Sequence, residues 1–216
     1  MKILFLGDSI TEGAGASTPE NTYFSIVLKM LNASGLNYGV SGTRIARQKE
    51  LWANNVYFNY DFNMRLDIMP DDADLVICFG GTNDFGHGIA PLGEDDDSDV
   101  YTFKGATNTL FKNLIKKYGK EKVLVILPLP RYDEESDKGE FFVAKQPGSI
   151  NLKTYVDIIR KFAEKYGLKY VDFRKEFGVP KSNTHEGLFF DGLHPSDEGH
   201  ALLAKLIVKE IKNNGF

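Results

Sequence analysis

An α/β chain with one parallel sheet covered by helices on both faces is the fold that this 216-residue sequence predicts, and three observations carry it. Five short apolar runs are spaced along the chain, each too short for a helix and each stopped by Gly, Pro or Asp. Between them lie segments whose apolar residues recur at helical spacing. The runs are apolar throughout rather than alternating, as expected of strands buried on both faces by right-handed crossovers. The expected architecture is a three-layer α/β/α sandwich, in one domain spanning residues 1–216, because no Pro/Gly/Ser linker divides the chain.

The first strand is Ile3 to Leu6, broken at Gly7 by the loop "GDSITEGAG". A helix follows in "NTYFSIVLKMLNAS", with Phe24, Val27, Leu28 and Leu31 on one side, Asn21 or Thr22 as cap, and an end before Gly35. "LNYGV" is the second strand and runs into "SGTRIA"; "DLVICF", residues 74–79, is the third. "TFKGATNTLFKNLIKKYG" is a helix stopped by Gly119, and "KVLVILPLP" the fourth strand. "LKTYVDIIRKFAEKYG" is a helix ending at Gly167, and "KYVDF" the fifth strand. The last helix carries Leu202, Leu203, Leu206, Ile207 and Ile211 behind Ser196 as cap. Two long loops interrupt the alternation. The aromatic stretch 52–62 fits core packing, a substrate lid or an oligomer contact, and 130–151 is polar and turn-rich.

Composition excludes several classes. With 42% hydrophobic and 26% charged residues the chain is neither disordered nor membrane-embedded, and no apolar run approaches a membrane span. A net charge of -4 without a basic cluster argues against nucleic acid. The single cysteine, Cys78, lies inside a strand and is expected as a core residue. No signal core with a cleavage site follows Lys2, so the expected location is cytoplasmic. A homo-oligomer is compatible with the sequence. The acidic run from Glu94 to Asp99 is expected as a solvated loop, since it lacks the glycine and spacing of a calcium-binding loop.

In such a fold, reactive groups belong in the loops beyond the carboxyl ends of the strands, and the loop after the first strand offers Ser9. A serine needs a base, and a histidine base works best beside a carboxylate that fixes its tautomer. Of His87, His185, His194 and His200, only His194 sits in a compact constellation, "DGLHPSDEGH", with Asp191 three residues before it. Gly192 frees the intervening turn and Pro195 holds His194 extended. His200 falls within the last helix and is expected to be packed or at the surface. His185 has no matching acid arrangement, and the sequence has no H-E-x-x-H, so no metal is expected. Donors for a developing oxyanion are available in "VSGT", through the Gly42 amide, and in "GGTND", through the Asn83 side chain; each residue taken singly also fits an ordinary turn or loop role.

"GDSI" with Ser9, "VSGT" with Gly42, "GTND" with Asn83 and "DGLHP" with Asp191 and His194 resemble, in order, the four blocks of the GDSL or SGNH hydrolases, from residue 7 to residue 195. Ile10 stands where the commonest pattern has leucine, and Gly80 precedes the third block; neither removes a catalytic atom. The resemblance implies a flavodoxin-like sheet of order 2-1-3-4-5 and an esterase or lipase site. It makes Ser9 the nucleophile, His194 the base and Asp191 its orienting acid, with the oxyanion hole built from the Ser9 N–H, the Gly42 N–H and the Asn83 side chain. No cofactor is implied. The expected substrate is a small ester, with an acetylated oligosaccharide favoured because Arg44, Trp52, Phe85, His87 and Arg131 stand in loops at the catalytic end. A lysophospholipase or acyl-thioesterase is the alternative within the class, and a flavodoxin-like ligand-binding protein the alternative outside it.

Overall fold

The computed structural model describes residues 1–50, 59–135 and 151–216. Five parallel strands run β1 (Lys2–Gly7), β2 (Ser34–Gly39), β3 (Leu75–Phe79), β4 (Val123–Ile126) and β5 (Lys169–Val171), in the spatial order β2-β1-β3-β4-β5. The expected order is therefore found. Between them lie α1 (Ser9–Glu12), α2 (Tyr23–Leu31), α3 (Phe62–Ile68), α4 (Thr82–His87), α5 (Phe103–Tyr118), α6 (Leu152–Tyr166) and α7 (Arg174–Phe177), and α8 (Asp197–Asn214) closes the chain.

Alternation along each strand divides the core in two. Leu4, Leu6, Val76, Cys78, Val123 and Val125 point to one face, where Phe62 and Leu66 of α3, Leu110 and Leu114 of α5 and Ile159 and Phe162 of α6 cover them. Ile3, Phe5, Leu75, Ile77, Leu124 and Ile126 point to the other, against Tyr23 and Val27 of α2 and Leu203, Ile207 and Ile211 of α8. The central strands β1, β3 and β4 are apolar almost throughout because both of their faces are dry, whereas the edge strands β2 and β5 carry polar residues and are partly exposed. Two helices start at caps the sequence offers, Thr22 accepting from Ser25 N and Ser196 from Gly199 N, and α6 starts at Asn151, which accepts from Thr154 N. α2 stops at Asn32, which takes a left-handed φ of 48°, three residues before Gly35.

Three segments differ from expectation. Residues 62–68 form α3, capped by Asp61, whose side chain accepts from Met64 N, so the aromatic stretch ends inside a helix and Phe62 is a core residue. Trp52, Tyr57 and Phe58 lie outside the described residues. The "GGTND" loop is the start of α4, and α7 follows β5 within four residues. Both are at most two turns long, too short for apolar spacing to reveal. Among the described residues, no helix is long and apolar enough to cross a membrane.

His200, on α8, ties the last helix to the start of α2 and to the loop after α1. It is fully buried, its Nδ1 accepts the Tyr23 backbone N–H at 3.2 Å, and its Nε2 lies 3.1 Å from the Ala14 carbonyl. These roles require a neutral ring with its proton on Nε2. Burial holds its pKa below the ordinary histidine value, so the stability it supplies is present above the unfolded pKa of about 6.5 and lost on acidification. His200→Gln should destabilise the fold by about 1–3 kcal/mol at pH 7.5, and calorimetry should find the Tm gap to wild type narrowing as pH falls toward 5. A gap that stays constant with pH would mean that the ring is not held neutral.

Candidate active site

The carboxyl ends of β1, β2 and β3 lie side by side, with Gly7 in register with both Gly39 and Phe79. Each delivers one of the four sequence blocks. After β1, Asp8 caps α1 by accepting the Ile10 N–H at 3.1 Å, which makes Ser9 the first residue of a one-turn helix rather than part of an open loop. After β2, Val40 to Thr43 form a tight turn closed by Thr43 N to Val40 O at 3.3 Å, and Gly42 takes the left-handed φ of 73° that such a turn requires. After β3, α4 brings Asn83 beside that turn, with its Nδ2 donating to the Thr43 carbonyl at 2.9 Å.

The fourth block arrives from the far end of the sequence. Antiparallel bridges Glu186↔Phe189 and Phe189↔Pro195 fold the segment before α8 into a tight turn. Asp191 organises it: its Oδ1 accepts the backbone N–H groups of Leu193 at 3.1 Å and His194 at 2.8 Å, and its Oδ2 lies 2.7 Å from His194 Nδ1. Gly192 has φ 76°, the freedom the sequence spacing called for. His194 Nε2 is then 2.9 Å from Ser9 Oγ. This approach depends on Gly15, where φ is 91° and a Cβ would sit 2.1 Å from the Pro195 carbonyl oxygen; any side chain there would push the histidine turn away.

The electrostatics separate three carboxylates by environment. Partial burial raises the Asp191 carboxyl, but the hydrogen bonds from the His194 ring and backbone outweigh it and hold the pKa below the ordinary value. Asp191 therefore stays ionised against the imidazole. Burial pushes Asp8 up to about 6 even though Ile10 N–H, His194 and Arg65 pull the other way. Burial likewise pushes Asp84 up to about 7, with its two oxygens accepting the Ile45 and Ala46 N–H groups at 2.9 Å each. Asp84 thereby ties α4 to the chain just beyond the Gly42 turn.

The loop residues expected to meet substrate are placed differently. Arg44, Phe85, His87 and Arg131 are all buried, packed around α4 instead of lining an open surface. Arg44 Nη1 lies 3.0 Å from His87 Nδ1. Arg131 pairs with Asp133, donates to Thr82 Oγ1 at 3.3 Å and stacks 5.3 Å above the Phe85 ring. A buried guanidinium needs acceptors, and for Arg131 the protein supplies them through Asp133 and Thr82. Trp52 falls outside the described residues. The sequence reading passed over Arg65, Asp84 and Glu12. Glu12 accepts the Ser41 N–H at 2.8 Å and so joins α1 to the Gly42 turn. For Arg65 a signal existed: Asp61 as cap, then Phe62, Leu66 and Met69 at helical spacing.

Among the described residues, no group of three or more His, Cys, Asp and Glu side chains is arranged to hold a metal ion. The arrangement is a hydroxyl, an imidazole and a carboxylate in hydrogen-bonded series, beside a glycine turn and an asparagine amide. Groups in such a series can carry out acyl transfer.

Known proteins agree. An acetylxylan esterase of Geobacillus stearothermophilus is 25% identical over 97% of this chain and 93% of its own length. The same fold occurs in a crystal structure of a Lactobacillus plantarum protein, at TM-score 0.79 and 23% identity, covering 98% of this chain and 96% of that one. It occurs again in the lipase/acylhydrolase from Enterococcus faecalis, at TM-score 0.66 and 24% identity, covering 98% and 95%. The model of the GDSL-like lipase/acylhydrolase family matches residues 5–202, so the chain belongs to that family and is a carboxylic ester hydrolase.

Proposed function

We propose that the protein is a serine esterase acting through Ser9, His194 and Asp191, and that its substrates are short acyl esters, foremost acetyl groups on a carbohydrate. The observation that carries the first part is the unbroken series from Ser9 Oγ to His194 Nε2 at 2.9 Å and from His194 Nδ1 to Asp191 Oδ2 at 2.7 Å. In this reading His194 takes the Ser9 proton as Oγ attacks the ester carbonyl, and gives it to the departing alcohol. Water then attacks the acyl-enzyme, and its proton passes through His194 back to Ser9. The Ser9 and Gly42 N–H groups and the Asn83 amide stabilise the oxyanion; one Asn83 N–H is used by Thr43, which leaves the second for substrate.

The carbohydrate part no longer draws on Arg44, His87 or Arg131. Two other facts favour it. The Geobacillus relative is named for acetylxylan. A cleft of about 560 Å³ borders the His194 turn, lined by Gly15, Ser17, His185, Phe190, Asp197 and Glu198. Phe190 is 56% exposed, and an open aromatic face among hydroxyl and carboxylate groups suits a sugar ring better than an acyl chain.

Ser9→Ala and His194→Ala should each remove nearly all activity on p-nitrophenyl acetate while leaving the Tm within a few degrees, and the double variant should be no worse than either single one. Losses that multiply would mean that the two do not act as a unit. Asn83→Ala should lower kcat by about 10²–10³, with a smaller change in KM, because the lost donor acts on the transition state. An effect confined to KM would make Asn83 a binding residue only.

For substrate, kcat/KM should fall from p-nitrophenyl acetate through butyrate and octanoate to palmitate, and acetate should be released from acetylated xylan fragments. A tenfold preference for octanoate or palmitate, about 1.4 kcal/mol of discrimination, together with no acetate from the glycan, would overturn the carbohydrate reading in favour of a lysophospholipase or thioesterase.

A further inference from the structure

α3 carries a cation that the reaction scheme above does not use. Arg65 is 2% exposed and its guanidinium reaches the carboxyl edge of the sheet. Nη1 donates to the Gly7 carbonyl at 2.5 Å and to the Tyr38 carbonyl, Nη2 donates to Thr43 Oγ1 at 2.8 Å, and Nε donates to the Tyr60 carbonyl at 3.1 Å. The guanidinium carbon sits 4.6 Å from the centre of the Phe62 ring, which fixes its plane from below.

These acceptors are not an arbitrary set. Gly7 ends β1 two residues before Ser9, and Tyr38 stands next to the end of β2, in register with Leu6. Thr43 directly follows Gly42, and its carbonyl is the acceptor that holds Asn83. One rigid fork therefore grips the strand leading to the nucleophile, the strand leading to the glycine turn, and the turn itself.

Holding the fold together gives little reason for this arrangement. Burying a guanidinium is costly, and an apolar side chain of similar size packed over Phe62 would often be as stable or more so. Burial pulls the Arg65 pKa down to about 10, so the group nonetheless remains charged at neutral pH.

We infer that Arg65 is the positioning residue of the oxyanion hole, locking the Gly42–Thr43 turn against the end of β1 so that the Gly42 and Ser9 N–H groups keep a fixed spacing. The inference rests on the reading that Ser9, Gly42 and Asn83 form that hole. A lysine at position 65 keeps the charge and loses the fork, so it can satisfy one acceptor at a time.

The test uses Arg65→Lys alone and combined with Asn83→Ala, with kcat and KM on p-nitrophenyl acetate and Tm measured for each. Arg65→Lys should lower kcat by about 10- to 100-fold with KM within about twofold, since a misplacement below 1 Å is enough. In the Asn83→Ala background, where the hole is already broken, the further loss should shrink to under about threefold. Thr43→Val should lower kcat in the same sense, and Thr43→Ser, which keeps the hydroxyl, should restore it to within about twofold. Wild-type kcat in folded Arg65→Lys, or a loss that multiplies in full with that of Asn83→Ala, overturns the inference while leaving the hole intact. If Arg65→Lys fails to fold, the Thr43 pair decides, and wild-type kcat in Thr43→Val overturns it. Wild-type kcat in Asn83→Ala instead removes the hole, and the role of Arg65 with it.

Discussion

Everything at the catalytic edge depends on the order in which the strands pair. With β1 between β2 and β3, the chain leaves β1 toward one side of the sheet and enters β3 on the other, so the segments after these strands diverge and a crevice opens between them. Ser9 and Asn83 are the residues those two segments deliver, and the Gly42 turn after β2 closes the third side. A one-residue change in register would send Ile3 and Phe5 to the face now held by Leu4 and Leu6, so the dry packing on both faces fixes the strand ends relative to each other. Hydrophobic burial thus sets the geometry of polar groups that take no part in it.

The histidine comes to this edge by a different route. α8 packs along α2 through Leu203, Ile207 and Val27, and the turn before α8 is thereby carried to the loop after α1. His200 then fastens α8 to Ala14 and Tyr23, and Asp197 receives the Ser17 N–H at 2.8 Å and the Asn21 amide at 2.9 Å. The residues just before the last helix are held from both ends, by this polar seam and by the bridges to Phe189. His194 is consequently placed by the packing of the helix that follows it in the chain.

The large elements were legible in the sequence and the small ones were not, for a physical reason. α2, α5, α6 and α8 bury several turns of apolar surface and start at Thr22, Thr102, Asn151 and Ser196, so spacing and caps both announce them. α1, α4 and α7 are one or two turns long and owe their form to what they pack against. α3 has a capping aspartate and apolar spacing, but the aromatic run that leads into it reads as one loop over residues 52–62. The candidate catalytic residues were legible because Ser9 and Asn83 closely follow glycines at the ends of β1 and β3, and Asp191 and His194 adjoin Gly192 and Pro195 in the turn before α8. The fate of Arg44 and Arg131 was not, because whether a loop arginine faces solvent or an interior carbonyl depends on neighbours 40 or more residues away, such as His87 and Thr82.

That burial redistributes roles around the site. Arg44, His87, Phe85 and Arg131 brace α4, Asp84 ties α4 to Ile45 and Ala46, and Glu12 ties α1 to Ser41, so each reactive segment is gripped by side chains behind it. The same groups give the edge a pH sense. Asp8 and Asp84 have pKa values raised to about 6 and about 7, so the stability they contribute is full below the unfolded value and is lost as pH rises through that range. His200 acts in the opposite direction, because its lowered pKa costs stability as pH falls. The buried groups therefore pull against each other near neutrality, where an imidazole base has to be unprotonated to work. The bracing side chains are thereby committed behind α4, while Phe190, adjacent to Asp191 in the chain and 56% exposed, faces the cleft beside the His194 turn.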